Sequence, residues 1–486
     1  MGHHSKGFRS GSGFLPGASM GVTDRQSGRE RDGMAGNGTA PRIGTIVAEA
    51  LYRGFRVVMR TAIAIHFRRV FVVGQDRFPR RGAALLAANH PSTWSDVLLL
   101  ETLLGRRLHF LAQIRQFHPR PRAVLLRIFG TLPVYASDSG ITAERNEETF
   151  GRCRSLFDRG EVVAIFPEGI SRTDRSLMPL RRGAARLALS YARPRGAGRS
   201  FALVPIALRY SERTAFRGDV TVRIGNPIAW SELRTWFADA DTAAADRLTE
   251  RIAGALRSLG VMPENPEDAP LLDALESIAA AREGSRDLAT AEDIQRSISA
   301  LRREDPQGHA RLRRLAHAHA RALKALRVSD GALVKAMPLH ARPSGRRIAA
   351  IATMALPALA GAVIHAIPAL LTRRAIRCYG YGPSQIAFAR ISAGFLFLTL
   401  WYAAMAWLFA KVLEASAVAV GAMLALSAAL GMIALVFGDC SRPYVERWCV
   451  AWIARRHPGL VERARASEEA LNRWIAERRR GARSAP

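Results

Sequence analysis

The chain has 486 residues, 49% of them hydrophobic, which is enough for two or three folding units and excludes global disorder. Its formal net charge is +30, yet the only lysines are Lys6, Lys324, Lys335 and Lys411, so the excess is arginine and accompanies alanine richness. No nucleic-acid motif goes with it and much of it flanks apolar segments. Nucleic acid is therefore not an expected partner, and anionic lipid headgroups or phosphorylated substrates match better.

Residues 1–42 are rich in Gly, Ser and Arg, contain Met20 and Met34, and lack an apolar core of signal-peptide length. They are expected to be a disordered tail. Gly17–Gly21 (GASMG) formally matches a nucleophile elbow, but no strand precedes it and no helical pattern follows. From Ile43 to Val73 the pattern predicts an amphipathic helix, with Arg53, Arg56 and Arg60 on one side and Leu51, Phe55, Val58 and Ile65 around the other. Such a helix suits a bilayer surface or packs on the domain that follows it.

Short apolar runs then alternate with helical patterns: Val70–Val73, Ala83–Ala88, Leu108–Ala112, Leu132–Tyr135, Val162–Phe166, Ala202–Leu208 and Val220–Ile224. Strands alternating with helices predict an α/β domain, here over 43–235. Residues 236–345 are predicted to be helical, with charged stretches at Asp241–Leu259, Leu271–Arg286 and Glu292–Arg303. His317 and His319 lie two apart on such a helix and point away from each other, so they do not form a metal site. Cys153, Cys378, Cys440 and Cys449 form no CxxC pair, which predicts neither a disulfide framework nor a zinc site, and a reducing compartment.

Within 346–440 lie Ile348–Leu371, Ile391–Ala410 and Ser416–Phe437, each free of Asp, Glu, Lys and Arg. At about 1.5 Å per residue each matches a hydrocarbon core of about 30 Å, so transmembrane helices are predicted. Arginines cluster before the first stretch, between the first and second, and after the third. With positive loops inside, the second and third make a hairpin, and the first, interrupted by Pro357, Gly361 and Pro368, is expected to be re-entrant. Residues 441–486 are predicted to be a basic C-terminal helix or tail.

The chemistry-bearing stretch is NHPSTWSD, residues 89–96, directly after the run Ala83–Ala88. A neutral His90 can take a proton from a hydroxyl, and Asp96, bonded to the other ring nitrogen, would fix the tautomer and stabilise the imidazolium. Pro91 and the possible caps Ser92, Thr93 and Ser95 suggest a strand running into a helix start. By itself His–x5–Asp also fits a turn histidine and a helix-start aspartate. A second motif is VVAIFPEGISRTDRSLMPLRRGAARLAL, Val162–Leu189: a strand ending in Phe166-Pro167-Glu168-Gly169, a polar loop with Arg172, Arg175, Arg181 and Arg182, then a helix. Guanidinium groups and a helix N-terminus suit a phosphate.

In order, NHPSTWSD, GTLPVYASDSGITAERNEETF, FPEGIS, and LVPIALRY followed by FRGDVTVRIGNPI resemble the phospholipid/glycerol acyltransferase family over roughly residues 50–235. The six-residue step from His90 to Asp96 and the FPEGIS form resemble the branch containing glycerol-3-phosphate and dihydroxyacetone-phosphate acyltransferases. The resemblance implies an acyltransferase-type αβ domain that moves an acyl chain from acyl-CoA or acyl-carrier protein to a glycerol-backbone hydroxyl, with no metal and no bound cofactor. It implies His90 as general base and Asp96 as its orienting partner. Glu168 and Gly169 would shape the acceptor pocket, with Ser171 and Arg172 where the family has its Arg-Ser pair. Val204-Pro205-Ile206 would line the acyl side or form a plain core strand. Ala136 stands where this branch often has a phosphate-binding arginine; either Arg145 takes over or the acceptor carries its charge differently.

The function expected is a membrane-bound O-acyltransferase acting on glycerol 3-phosphate or dihydroxyacetone phosphate in phospholipid synthesis, at a bacterial inner membrane with the catalytic domain cytoplasmic. A lysophosphatidic acid or other lysolipid acyltransferase is the alternative within the class, and a non-catalytic lipid-binding protein the alternative outside it.

Overall fold

The computed structural model of the chain describes residues 43–118, 120–135, 142–171, 176–192, 201–211, 214–228, 241–260, 262–263, 265–283, 288–326 and 345–484. The chain divides into two compact units. The first takes the described residues up to Ser171, Leu180–Ile252 and, from far along the chain, Gly382–Ile391. The second takes Ala253–Tyr381 and the residues from Ser392 onward, together with the loop that ends at Pro179.

The first unit is a seven-stranded sheet with helices. Helix α1 (Ile43–His66) leads into β1 (Phe67–Val73), and β2 (Ala83–Ala88) follows. Helix α2 (Thr93–Leu103), β3 (Leu108–Gln113), α3 (Arg120–Ile128), β4 (Leu132–Val134), α4 (Thr142–Asp158), β5 (Val162–Ile165), α5 (Gly183–Ala192), β6 (Phe201–Tyr210) and β7 (Gly218–Ile224) complete it. The strand order is β1-β7-β6-β2-β5-β3-β4, with β6 and β7 antiparallel and every other neighbouring pair parallel.

All six residues of β2 are buried, because a central parallel strand covered by helices on both faces reads as a continuous apolar run. Ala84, Leu86 and Ala88 share one core with Leu99 and Leu100 of α2, Val204 and Ile206 of β6, and Val220 and Val222 of β7. Elsewhere in the unit Phe157, Tyr191 and Phe201 pack ring against ring at 5.0–5.1 Å.

Helix α1 ends at His66 and not at Val73 as the periodicity predicts. The aromatic and β-branched run from Phe67 gains more from parallel pairing with β7, where Val70, Phe71 and Val72 lie opposite Val220, Thr221 and Val222. The face α1 buries is Tyr52, Met59 and Ile63, so it packs on its own domain, and Val57 is left outward.

This docking carries a pH dependence. The Tyr52 hydroxyl donates to Glu101 at the end of α2, and the Leu108 N–H donates to the same carboxyl at 3.3 Å. Burial, only partly offset by that amide and by Arg107, pushes the Glu101 carboxyl up to about 8 from about 4.5. A group whose folded pKa is raised contributes its full stability below the unfolded value and loses it as pH rises through the folded one. Thermal stability of the detergent-solubilised chain should therefore fall between pH 5 and 8, by on the order of a few kcal/mol. Glu101→Gln should flatten that slope, and an unchanged slope would show that Glu101 does not titrate with folding.

In the second unit, α7 (Ala269–Glu283), α8 (Leu288–Glu304) and α9 (Pro306–Leu326) follow α6 (Asp241–Gly260), whose chain crosses from one unit to the other. The C-terminal helix α14 (Pro458–Ser484) packs into the same core as α7–α9. Leu471 and Ile475 meet Leu271, Leu275, Ile298 and Leu312, and Val461 and Ala464 meet Leu323 and Leu326. His317 is exposed, whereas His319 is buried with its Nδ1 3.1 Å from the Ser467 hydroxyl, so the two do not converge.

The apolar stretches form α10 (Gly345–Ile364), α11 (Ala366–Tyr379), α12 (Ile386–Lys411) and α13 (Ala417–Arg456). Helices α12 and α13 are each long and apolar enough to cross a membrane, and α10 with α11, bent by 56°, fits either a broken third span or the expected re-entrant loop. The bend falls at His365 because Pro368 has no N–H for the Ile364 carbonyl four residues earlier. Pro357, by contrast, is carried inside α10. The backbone at Gly361 lies against the Leu430 carbonyl, 2.0 Å from where a Cβ would stand, so only glycine permits that crossing of α10 and α13. Helix α13 continues unbroken through the basic stretch after Phe437, and its 40 residues make a rod of about 60 Å.

Candidate active site

Strands β2, β5 and β6 lie side by side and parallel, so the segments that follow β2 and β5 leave from the same edge of the sheet as the end of β6. That topology brings NHPSTWSD and FPEG together. Asn89 pins the backbone just past β2: its side-chain N–H donates to the Leu208 carbonyl at 3.1 Å, and its side-chain oxygen accepts from the Leu208 N–H at 2.7 Å.

His90 and Asp96 meet as the sequence reading expects. Nδ1 of His90 lies 2.9 Å from Oδ2 of Asp96, and the same oxygen accepts the Ser92 N–H at 2.7 Å. The other oxygen, Oδ1, accepts from the Tyr210 hydroxyl at 2.5 Å. Asp96 is fully buried, so these three donors take the place of water around its charge. Because a carboxylate only accepts, Nδ1 carries the proton and Nε2 presents a lone pair. The ring stacks on Phe166, with centroids 3.9 Å apart, and its side chain keeps 15% of its surface exposed.

None of Ser92, Thr93 and Ser95 caps α2 with its side chain. Asp96 on the first turn reaches back to the Ser92 N–H and so satisfies the amide of the N-cap residue. The Thr93 hydroxyl instead pairs with the Ser171 hydroxyl at 2.7 Å, tying the turn to the loop after β5. Thr93 has φ +36°, a costly conformation for a β-branched residue, which those contacts hold in place.

Glu168 is buried and accepts the His90 backbone N–H at 2.8 Å, so it holds the turn. Gly169 has φ +71°, its carbonyl accepts from the Gln113 side chain at 2.7 Å, and its N–H donates to the Phe166 carbonyl at 3.0 Å. Its positive φ is what requires glycine; a Cβ there would stand 2.8 Å from Nε of Arg181, an exposed side chain that could move aside. Arg181 is exposed and forms no ion pair among the described residues, whereas Arg182 pairs with Asp246.

Arg172 and Ala136 lie outside the described residues. Arg145 is exposed on α4 with its guanidinium 5.4 Å from the Tyr135 ring centroid. Since β4 is three strands along from β2, that end of the sheet is about 14 Å away at the usual strand spacing. Val204-Pro205-Ile206 is buried in β6, paired with Leu86, Ala87 and Ala88, and serves as a core strand. Among the described residues no three His, Cys, Asp or Glu side chains converge as a metal site would require.

The sequence reading passed over Tyr210, Phe166 and Asn89. All three lie in stretches that carry the resemblance, but a tyrosine ending an apolar strand and a phenylalanine before a proline read as core. Their role is set by which strand lies next to β2.

Residues 69–209 match the family model described as Acyltransferase. The chain carries an acyltransferase-family domain. Its match runs from β1 to the end of β6, includes His90, Asp96 and Glu168, and stops one residue short of Tyr210. Over 141 residues the acyltransferase domain is 33% identical to glycerol-3-phosphate O-acyltransferase 2 of Saccharomyces cerevisiae, a match covering 28% of this chain and 18% of that protein's length. The crystal structure of the 1-acyl-sn-glycerophosphate (LPA) acyltransferase PlsC from Thermotoga maritima aligns with 43% of this chain and 83% of that one, at 16% identity and a TM-score of 0.31.

Proposed function

We propose that the chain transfers a fatty acyl group from acyl-CoA or acyl-carrier protein to the hydroxyl of glycerol 3-phosphate, or of dihydroxyacetone phosphate, at a membrane. The observation that carries this reading is the His90–Asp96–Tyr210 line of hydrogen bonds, which leaves Nε2 of His90 as the basic nitrogen. Nε2 takes the proton of the acceptor hydroxyl as its oxygen attacks the thioester carbonyl. The resulting oxyanion collapses, the C–S bond breaks, and the departing thiolate takes the proton back from the imidazolium.

Backbone amides after Gly169 or on the first turn of α2 would face that oxyanion. Arg181, whose guanidinium lies against Gly169 of the FPEG turn, supplies the positive charge for the acceptor phosphate. The helices α12 and α13 support a membrane-bound protein, and a thioester donor made in the cytoplasm supports a catalytic domain on that side. The second reading is a lysophosphatidic acid or other lysolipid acceptor, and Ala136 in the second motif leaves room for one without a phosphate. A buried carboxylate matched to an open imidazole argues against a merely lipid-binding role.

Membranes containing the full chain, given radiolabelled acyl-CoA and separately glycerol 3-phosphate, dihydroxyacetone phosphate and lysophosphatidic acid, should yield labelled product with one of the first two. Product from lysophosphatidic acid alone would establish the second reading. No product from any acceptor, with carrier-protein thioesters also tried, would remove both.

A further inference from the structure

We propose that Gly382–Ile391, far outside the matched domain, is part of the catalytic unit and positions the turn that bears His90 and Asp96. The inference rests on the acyl-transfer reading for its function, though not for its geometry. Ser92 stands at the N-cap of α2, where a serine ordinarily bonds to the helix's own amides. Here its hydroxyl donates instead to the Ser384 carbonyl at 3.3 Å. Two residues on, the Trp94 ring packs against Phe388 with centroids 5.8 Å apart.

The rest of the segment is fastened to the same unit. Ala387 and Ala389 are buried, Ile391 joins the core that holds β2 and α2, and Arg390 donates to the Thr214 carbonyl at 3.0 Å. Two clasps thus act on adjacent residues of one turn: Ser171 on Thr93 from the loop after β5, and Ser384 with Phe388 on Ser92 and Trp94 from the start of α12. Thr93 between them is the residue with the costly backbone torsion. A turn held at φ +36° needs such bracing to keep Asp96 on Nδ1 of His90, and a base displaced by a fraction of an ångström loses rate while binding is preserved. Ser384 and Phe388 are therefore positioning residues, which touch the turn and not the reacting atoms.

Two measurements on the full chain in membranes test this. In a background with the other cysteines replaced by serine, Trp94→Cys with Phe388→Cys should be joined by a short bifunctional thiol reagent, while Trp94→Cys alone should not. Kinetically, Phe388→Ala should lower kcat about 10- to 100-fold, with both KM values within about twofold. Phe388→Tyr should restore the rate, and Trp94→Ala combined with Phe388→Ala should be no slower than the slower single variant. Absence of the cross-link, an unchanged kcat in Phe388→Ala, or additive losses in the double variant would each overturn the proposal. If the wild-type chain transfers no acyl group the functional reading fails, and the cross-link alone still decides whether the segment is docked.

Discussion

Substituting alanine for His90 is expected to lower kcat by about 10²- to 10⁴-fold, the usual worth of a positioned base, while the chain still reaches the membrane and donor KM changes little. Asp96→Asn should cost nearly as much. Both oxygens of Asp96 accept hydrogen bonds, from Tyr210 on one side and from His90 and Ser92 on the other. An asparagine has one acceptor and one donor, so its amide N–H must oppose one of these donors or turn the imidazole to the tautomer whose Nε2 is protonated and cannot serve as base. Tyr210→Phe removes only one of the three donors, and a loss of about 1 kcal/mol, near fivefold in rate, is expected. Equal activity of His90→Ala and wild type in the radiolabel assay would exclude this mechanism.

The second large effect concerns the acceptor. Arg181→Ala should raise KM for a phosphorylated acceptor by about 10- to 150-fold, the equivalent of the 1.5–3 kcal/mol of a charge-assisted contact, with donor KM unchanged. Arg182→Ala is the internal control, because that side chain is exposed and already paired with Asp246. Arg145→Ala, in the sequence reading a substitute for the arginine missing at Ala136, should matter less, since its guanidinium sits over Tyr135 at the β4 end of the sheet. Steady-state kinetics with each substrate varied in turn would decide. An equal rise in KM for Arg145→Ala would mean that the acceptor reaches across the sheet edge.

The strand runs, the apolar helices and the pairing of His90 with Asp96 were legible from residue order because each depends on near neighbours. A buried parallel strand declares itself as Ala-Ala-Leu-Leu-Ala-Ala, and a histidine and aspartate six residues apart can meet within one turn. The helix break was half legible: of three interrupting residues, Pro368 accompanies the bend at His365, while Pro357 is absorbed inside α10. The end of α1 was misread, since only pairing with β7 makes Phe67 the start of a strand.

By itself, then, residue order determined the α/β alternation, the two catalytic candidates and the apolar segments, all products of short-range periodicity and local geometry. Only the tertiary structure decided that Tyr210, 114 residues away, donates to Asp96, that Glu168 holds the His90 backbone, and that Ser384 and Phe388 brace the turn. The first two contacts depend on strand order and parallel register, which place β5 and β6 on either side of β2, and the third on a segment 292 residues further along the chain from Ser92. No local pattern of hydrophobicity encodes which strand lies beside which.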